Sequence, residues 1–258
     1  MTVRPGLCSV TFRQLTPERI VELAAEARLE VIEWGGDVHV PPGDPERAAE
    51  VARSTADAGV DVCSYGSYFR AGAQEPITPI LDSAQALGAD RVRVWAGRVD
   101  SADASPEEYA GVVSRLRDAV DEAGDRGISL ALEYHRGTVA DNPDAVLRLL
   151  ADVGRPGLST YWQPTVGAAD EVALAEFDAL ASRVSAVHVF SWWPLTERLP
   201  LRERGVLWQS LFTAAAALAS PPRDALLEFV PDDDPDLLAS EAAALRQWLA
   251  DADATRAR

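Results

Sequence analysis

Short apolar or β-branched runs recur along the chain, and each is followed by a stretch whose apolar residues return at helical spacing. The runs GLCSVT (6–11), LEVIEW (29–34), VDVCSY (60–65), RVRVWA (91–96), ISLALE (128–133), LSTYW (158–162), SAVHVF (185–190) and ALLEFV (225–230) are eight predicted strands. Helices fit between every pair, the clearest over 106–125, 142–152 and 169–182, and a last one spans 236–250. Ahead of the first helix, Thr16 is placed as N-cap, Pro17 takes the first helical position, and Glu18 sits at the positive end of the dipole. Alternation of this kind implies a parallel sheet with right-handed crossovers. Eight such units in 258 residues close into an α/β (β/α)8 barrel of the TIM type, expected as a single domain over 1–258. The competing doubly wound open sheet carries a glycine fingerprint after its first strand, and TFRQLT stands there instead. The terminal stretch DADATRAR has no apolar period, so residues 252–258 are expected to fray.

Such a barrel concentrates its chemistry at the C-terminal ends of its strands. The chain has 3 histidines, and His39, His135 and His188 all fall in those regions, after strands two, five and seven. Strand five ends in Glu133 and His135, which share a face with Ser129 and Ala131 while Leu130, Leu132 and Tyr134 take the other. His188 follows Ala186 on the inward parity of strand seven, and Glu228 follows Leu226 on that of strand eight. Two carboxylates and an imidazole converging on one pocket match the ligand set of Mn²⁺, Mg²⁺, Co²⁺ or Zn²⁺. A metal-free hydrogen-bond network is the alternative, but burying two ionised glutamates without compensation is costly, which favours a cation between them.

Composition narrows the function further. The formal net charge is -17, and every one of the 24 basic residues is arginine. Without a lysine there is no Schiff-base chemistry, so lysine-dependent aldolases and pyridoxal phosphate enzymes are excluded. The acidity opposes nucleic acid as a partner. No run reaches the length of a membrane span, and the N-terminus carries no long apolar segment, so a cytoplasmic protein is expected. Cys8 and Cys63, in strands one and three, are expected as buried free thiols. Indole faces suit a sugar ring, and Trp34, Trp95, Trp162 and Trp192 lie on the predicted rim with Tyr65, Tyr68, Phe190 and Trp193, about half of them core by expectation. With His39 and His135 these four indoles are the candidate substrate contacts. Arg93, inward with Trp95, either anchors substrate or neutralises an interior carboxylate. Glu33 ends strand two, and Arg13, Asp37, Arg70 and Arg98 are weaker candidates on the same rim. The turns after strands seven and eight, SWWPLTERLP and VPDDDPD, are not glycine-rich, and three consecutive aspartates repel phosphate, so an unphosphorylated carbohydrate is the expected ligand.

The segments IEWGGDVH, SYGSY, RVWAG, EYH, TYWQP, VHVF and EFV resemble, over nearly the whole chain, a bacterial branch of the xylose-isomerase-like, or sugar phosphate isomerase/epimerase-like, barrels. That group includes ketose 3-epimerases, hydroxypyruvate isomerase and inosose dehydratase. The resemblance implies a metal held by Glu from strand five, Asp from strand six, His from strand seven and Glu from strand eight, and Glu133, His188 and Glu228 match three of the four. Strand six departs from the pattern, reading Ser159 to Pro164 without an aspartate, so Gln163 is placed as the fourth ligand through its amide oxygen, with substrate binding as its alternative role. The implied activity is a metal-dependent isomerase or epimerase of a free sugar or polyol ketone, with Glu133 and Glu228 as the acid–base pair across the substrate. A lyase or dehydratase acting on a keto-sugar, keto-glycoside or inosose by the same first step is the alternative. A non-catalytic sugar-binding barrel is the third reading.

Overall fold

In a computed structural model, which describes residues 3–72 and 75–256, the predicted alternation is realised: eight parallel strands interleaved with helices close into a barrel. In chain order the elements are β1 (Arg4–Cys8), α1 (Pro17–Glu26), β2 (Val31–Gly35), α2 (Pro45–Asp57), β3 (Asp61–Gly66), α3 (Thr78–Leu87), β4 (Arg91–Val94), α4 (Pro106–Gly124), β5 (Ser129–Leu132) and α5 (Pro143–Val153). There follow β6 (Leu158–Trp162), α6 (Asp170–Leu180), β7 (Val184–Val189), the short β8 (Ser191–Trp192) and β9 (Arg198–Leu199), α7 (Gly205–Ala216), β10 (Asp224–Leu227) and α8 (Leu238–Arg256). The barrel order is β1-β10-β7-β6-β5-β4-β3-β2, and β8 and β9 form a separate antiparallel pair. The chain divides into two compact units, the first of Met1–Glu33, Ser54–Asp61 and Trp162–Arg258, the second of Trp34–Arg53 and Val62–Tyr161.

In the first unit, β1 lies between β2 and β10, with Gly6 in register with Val31 on one side and Leu226 on the other. A Cβ at Gly6 would stand 2.4 Å from Val31 Cγ2 and 2.6 Å from Leu226 Cδ2, so only glycine fits that approach. The first strand starts and stops earlier than its apolar run suggests. Ser9–Phe12 turn into a 3-10 helix, where the Thr11 hydroxyl donates to the Leu227 carbonyl at 3.4 Å and accepts from the Phe229 amide at 3.1 Å, side-chain bonds to the end of β10 that stand where a ladder would otherwise continue. Thr16 caps α1 as expected, accepting from the Arg19 amide, with Pro17 at the first helical position. Of the tail expected to fray, residues 252–256 continue α8, with Ala252 buried, and residues 257–258 lie outside the described residues. The β8–β9 hairpin has no counterpart in the predicted elements; two paired positions, Ser191 with Leu199 and Trp192 with Arg198, are too few to show a period.

In the second unit, β4, β5 and β6 run in parallel register, Arg93 opposite Ala131 and Ala131 opposite Ser159. β5 ends at Leu132, but the Glu133 amide still donates to the Val94 carbonyl at 2.8 Å, so the catalytic candidate sits on the last ladder bond. The Glu228 amide is held in the same way in the first unit, by the Val189 carbonyl at 3.1 Å. α4 begins with a reciprocal capping box between Ser105 and Glu108. No helix among the described residues is long and apolar enough to cross a membrane.

Candidate functional site

Parallel register decides which side chains meet in the first unit, because residues paired across parallel strands point to the same face. Gly6, Val31, Leu226 and His188 form one tier. Cys8 and Glu33 are paired one tier on, and Glu228 follows Leu226 by two residues. The result is a buried cluster of a thiol, two carboxylates and an imidazole, with the Gln163 amide beside it; His188 is 0% exposed and Gln163, the most exposed of the five, 9%.

His188 faces two donor pairs. Its Nδ1 lies 3.0 Å from Gln163 Oε1 and 3.3 Å from Glu228 Oε2, and its Nε2 lies 3.7 Å from Glu33 Oε1. Cys8 Sγ stands 3.9 Å from that same Glu33 oxygen. Cys8, Glu33 and His188 each bring one ligand atom, all within 4.8 Å of one another. Burial pushes the Cys8 thiol up to about 12, with His188 pulling against it and the Glu33 carboxylate reinforcing it. Burial by itself disfavours the His188 imidazolium, but the sulfur of Cys8 and the Glu228 carboxylate outweigh it and the imidazole binds a proton well above its ordinary range. A proton therefore partly offsets two carboxylates that would otherwise be buried at a cost of several kcal/mol each, the position a divalent ion also suits.

The second unit carries different chemistry. The Arg93 guanidinium donates to Glu133 Oε2 in an ion pair whose side chains are 3% and 6% exposed. Of the two readings of Arg93, this is neutralisation of an interior carboxylate. Trp95, on the parity of Arg93, is covered by the Arg70 guanidinium at 4.1 Å from its ring centroid, by the ring of Tyr68 at 6.4 Å and by that of His135 at 4.7 Å. Tyr68 donates to Asp37 Oδ2 at 3.1 Å. Trp34 meets His39 edge-on at 6.0 Å, and both are buried. The buried indole N–H groups of Trp34 and Trp95 have no hydrogen-bond partner among the described residues.

Two more sequence candidates lie in the first unit. Trp192 packs between Phe190, at 5.2 Å, and Phe229, at 5.3 Å, while the Arg198 guanidinium covers Phe229 at 4.7 Å. Phe229 itself holds a φ of 59°, which turns the chain directly after Glu228. Trp162 is a correction: it takes the parity opposite to Tyr161 and Gln163, and its ring meets Phe177 of α6 at 5.5 Å and Trp208 of α7 at 6.4 Å. It is a packing residue under helices, where the sequence reading puts it against substrate.

Sequence reasoning placed His188, Gln163 and Glu228 among the ligands, and the structure brings those three together. Glu133, expected as a ligand too, is engaged by Arg93. The sequence pattern does not group Cys8 and Glu33 with His188: it marks Cys8 as a buried thiol and Glu33 as a strand-end carboxylate, and the signal joining them is that both lie in the C-terminal parts of neighbouring strands. Both cysteines are free and buried, as expected.

A family model described as xylose isomerase-like TIM barrel matches residues 21–248. No protein of curated function matches the chain in sequence. Among solved structures, the chain is similar to the probable 3-DHS dehydratase AsbF of Bacillus anthracis, at 19% identity over 95% of this chain and 99% of that one, with a TM-score of 0.77. It is also similar to an L-ribulose 3-epimerase (16% identity, 99% and 96% covered, TM-score 0.70). A xylose isomerase-like TIM barrel protein from Mycobacterium smegmatis in complex with magnesium is a further relative (15% identity, 97% and 98% covered, TM-score 0.71). At these identities the likeness is one of fold.

Proposed function

The chain belongs to the xylose isomerase-like TIM barrel family, and from that premise we propose that it is a divalent-metal-dependent isomerase or epimerase of an unphosphorylated sugar or polyol ketone. The observation that carries the reading is the buried cluster around His188, in which two carboxylates, an amide oxygen and a thiol surround one imidazole. Oxygen and nitrogen donors fit Mn²⁺, Mg²⁺, Co²⁺ or Zn²⁺, and a sulfur donor fits Co²⁺ or Zn²⁺. Donors from both sides of the ring, Gln163 and Glu228 at Nδ1 and Glu33 at Nε2 with Cys8 beside it, are available to hold it. When bound, such an ion polarises a substrate carbonyl and acidifies the adjacent C–H.

The remaining roles belong to the chain. Glu228, fixed by its ladder bond and by the turn at Phe229, is the base that removes the proton beside the carbonyl. Glu133 is the second acid–base group, oriented by one guanidinium hydrogen bond from Arg93. Trp95, the less buried indole, offers its ring face and unpartnered N–H donor to a ring bearing hydroxyls, with His135 beside it, whereas Trp34 and His39 are buried, Trp34 on the parity opposite to Glu33, and pack as Trp162 does.

Free ketoses and inososes incubated in deuterated water with the protein and, in parallel, Mn²⁺, Co²⁺ or Zn²⁺ test the reading. Deuterium entering beside the carbonyl together with an isomeric product supports it. Loss of a hydroxyl or aglycone to give an unsaturated product would make the protein a lyase instead, and saturable binding without any exchange would make it a binding barrel.

A further inference from the structure

Resting on the metal-dependent reading, we propose that the ion is held by Cys8, Glu33 and Nε2 of His188, so that a thiolate stands among its ligands while Gln163 and Glu228 serve the opposite side of the imidazole. The two sides of the ring differ in spacing. At Nδ1, the Gln163 oxygen is 3.0 Å away, an ordinary N–H···O hydrogen bond, with Glu228 close behind at 3.3 Å. That is the arrangement by which histidine ligands are oriented: the nitrogen away from the metal donates to a carbonyl or carboxylate, which fixes the tautomer and turns the other nitrogen to the ion.

At Nε2, the Glu33 oxygen is 3.7 Å away, longer than such a bond, and 3.9 Å separates it from the Cys8 sulfur. Ligands sharing a tetrahedral ion at bond lengths of about 2.0–2.3 Å lie about 3.4 Å apart for nitrogen and oxygen and about 3.6 Å for sulfur and oxygen. These two gaps exceed those by about 0.3 Å, and the ligand atoms of Cys8, Glu33 and His188 all lie within 4.8 Å of one another, so side-chain rotations close the set around an ion. The three groups are 1%, 2% and 0% exposed, so they are shielded from bulk solvent. They also stand on rigid supports, since Cys8, the last residue of β1, is paired in register with Glu33 of β2.

One thiolate, one carboxylate and one imidazole leave a fourth tetrahedral position for substrate or water, and the soft sulfur selects Zn²⁺ or Co²⁺ over Mg²⁺ or Mn²⁺. The assignment also frees the Glu228 carboxylate to act as a base rather than a ligand.

Cobalt reports the ligands directly. The full chain, stripped with a chelator, is titrated with Co²⁺ while its absorption is recorded. The expected result is a near-ultraviolet sulfur-to-cobalt charge-transfer band and intense visible bands of a tetrahedral ion, saturating at one equivalent. Cys8→Ser should lose the charge-transfer band and bind at least about 10-fold more weakly, Cys63→Ser should change nothing, and Glu228→Gln should keep the band. Cys8→Ala serves as a second variant, with circular dichroism verifying the fold of each. The parent chain needs no variant to decide the point: a Co²⁺ complex without the charge-transfer band, or Cys8→Ser binding as tightly as the parent, would overturn the site. A protein that shows the band yet exchanges no C–H of any ketose would overturn the proposed reaction and leave the site standing.

Discussion

The first unit buries a negatively disposed cluster, two carboxylates and a thiol around one imidazole, whereas the second buries a single carboxylate already matched by a guanidinium and rimmed with aromatic rings. Both are built by the same device, a strand whose last inward residue is kept on the ladder by one backbone bond, at Glu228 and at Glu133. What differs is the neighbouring strand. Register sets a neutral-or-cationic histidine near Glu228 and a permanently cationic arginine near Glu133. Two glutamates at equivalent places thus differ in partner: Glu228 faces an imidazole whose charge can change, and Glu133 faces a guanidinium whose charge is fixed.

The largest effects that would sharpen this contrast are on rate. Glu228→Gln and Glu133→Gln each preserve shape, and each is expected to lower kcat by about 10²–10⁴-fold on the true substrate. The Co²⁺ charge-transfer band should persist in both. Steady-state kinetics on folded variants reads the outcome, and near-full activity in either would remove that glutamate from the mechanism.

Stability comes next. Arg93→Met keeps the aliphatic stem but leaves Glu133 buried without its cation, at an expected cost of about 3–5 kcal/mol in urea denaturation. Adding Glu133→Gln should recover most of that loss. If the single variant is as stable as the parent, the pair is not what compensates the buried charge.

The smallest contrast lies at the helix starts. Thr16 caps α1 alone, whereas Ser105 and Glu108 cap α4 reciprocally, and hydrogen bonds from the Ser105 amide and then its hydroxyl hold the Glu108 carboxyl below its ordinary value. A depressed carboxylate stabilises above its unfolded value and loses that contribution as pH falls through the folded one. Thermal melts of the parent and Glu108→Gln should therefore differ modestly near neutral pH and converge in acid; a gap that persists in acid would mean that the charge is irrelevant.

The fold was legible because eight strand periods and eight helical periods alternate without a break, and alternation put Glu133, His188 and Glu228 on inward parities from the sequence alone. The same alternation places Trp162 opposite to Gln163, so its place under the helices, against Phe177 and Trp208, is legible from the strand period. Cys8 and Glu33 were not readable in this way. Which residue of β1 stands beside which residue of β2 is a property of inter-strand register, fixed by tertiary packing such as the Gly6 contacts and not by either segment's own pattern. For Arg93 the sequence allows either a substrate anchor or a partner for an interior carboxylate, and only the register of β4 with β5 brings it to Glu133.

Gly6 shapes how a mutational scan of this protein would read. Any side chain there meets Val31 and Leu226 at distances no real Cβ tolerates, one tier below Cys8, Glu33 and Glu228. In a growth or activity screen, position 6 is expected to look as intolerant as the glutamates of the proposed reaction. A parallel abundance screen would part the two classes: substitutions at Gly6 are expected to lower the amount of protein, and Glu228→Gln, on the proposed role, only its turnover.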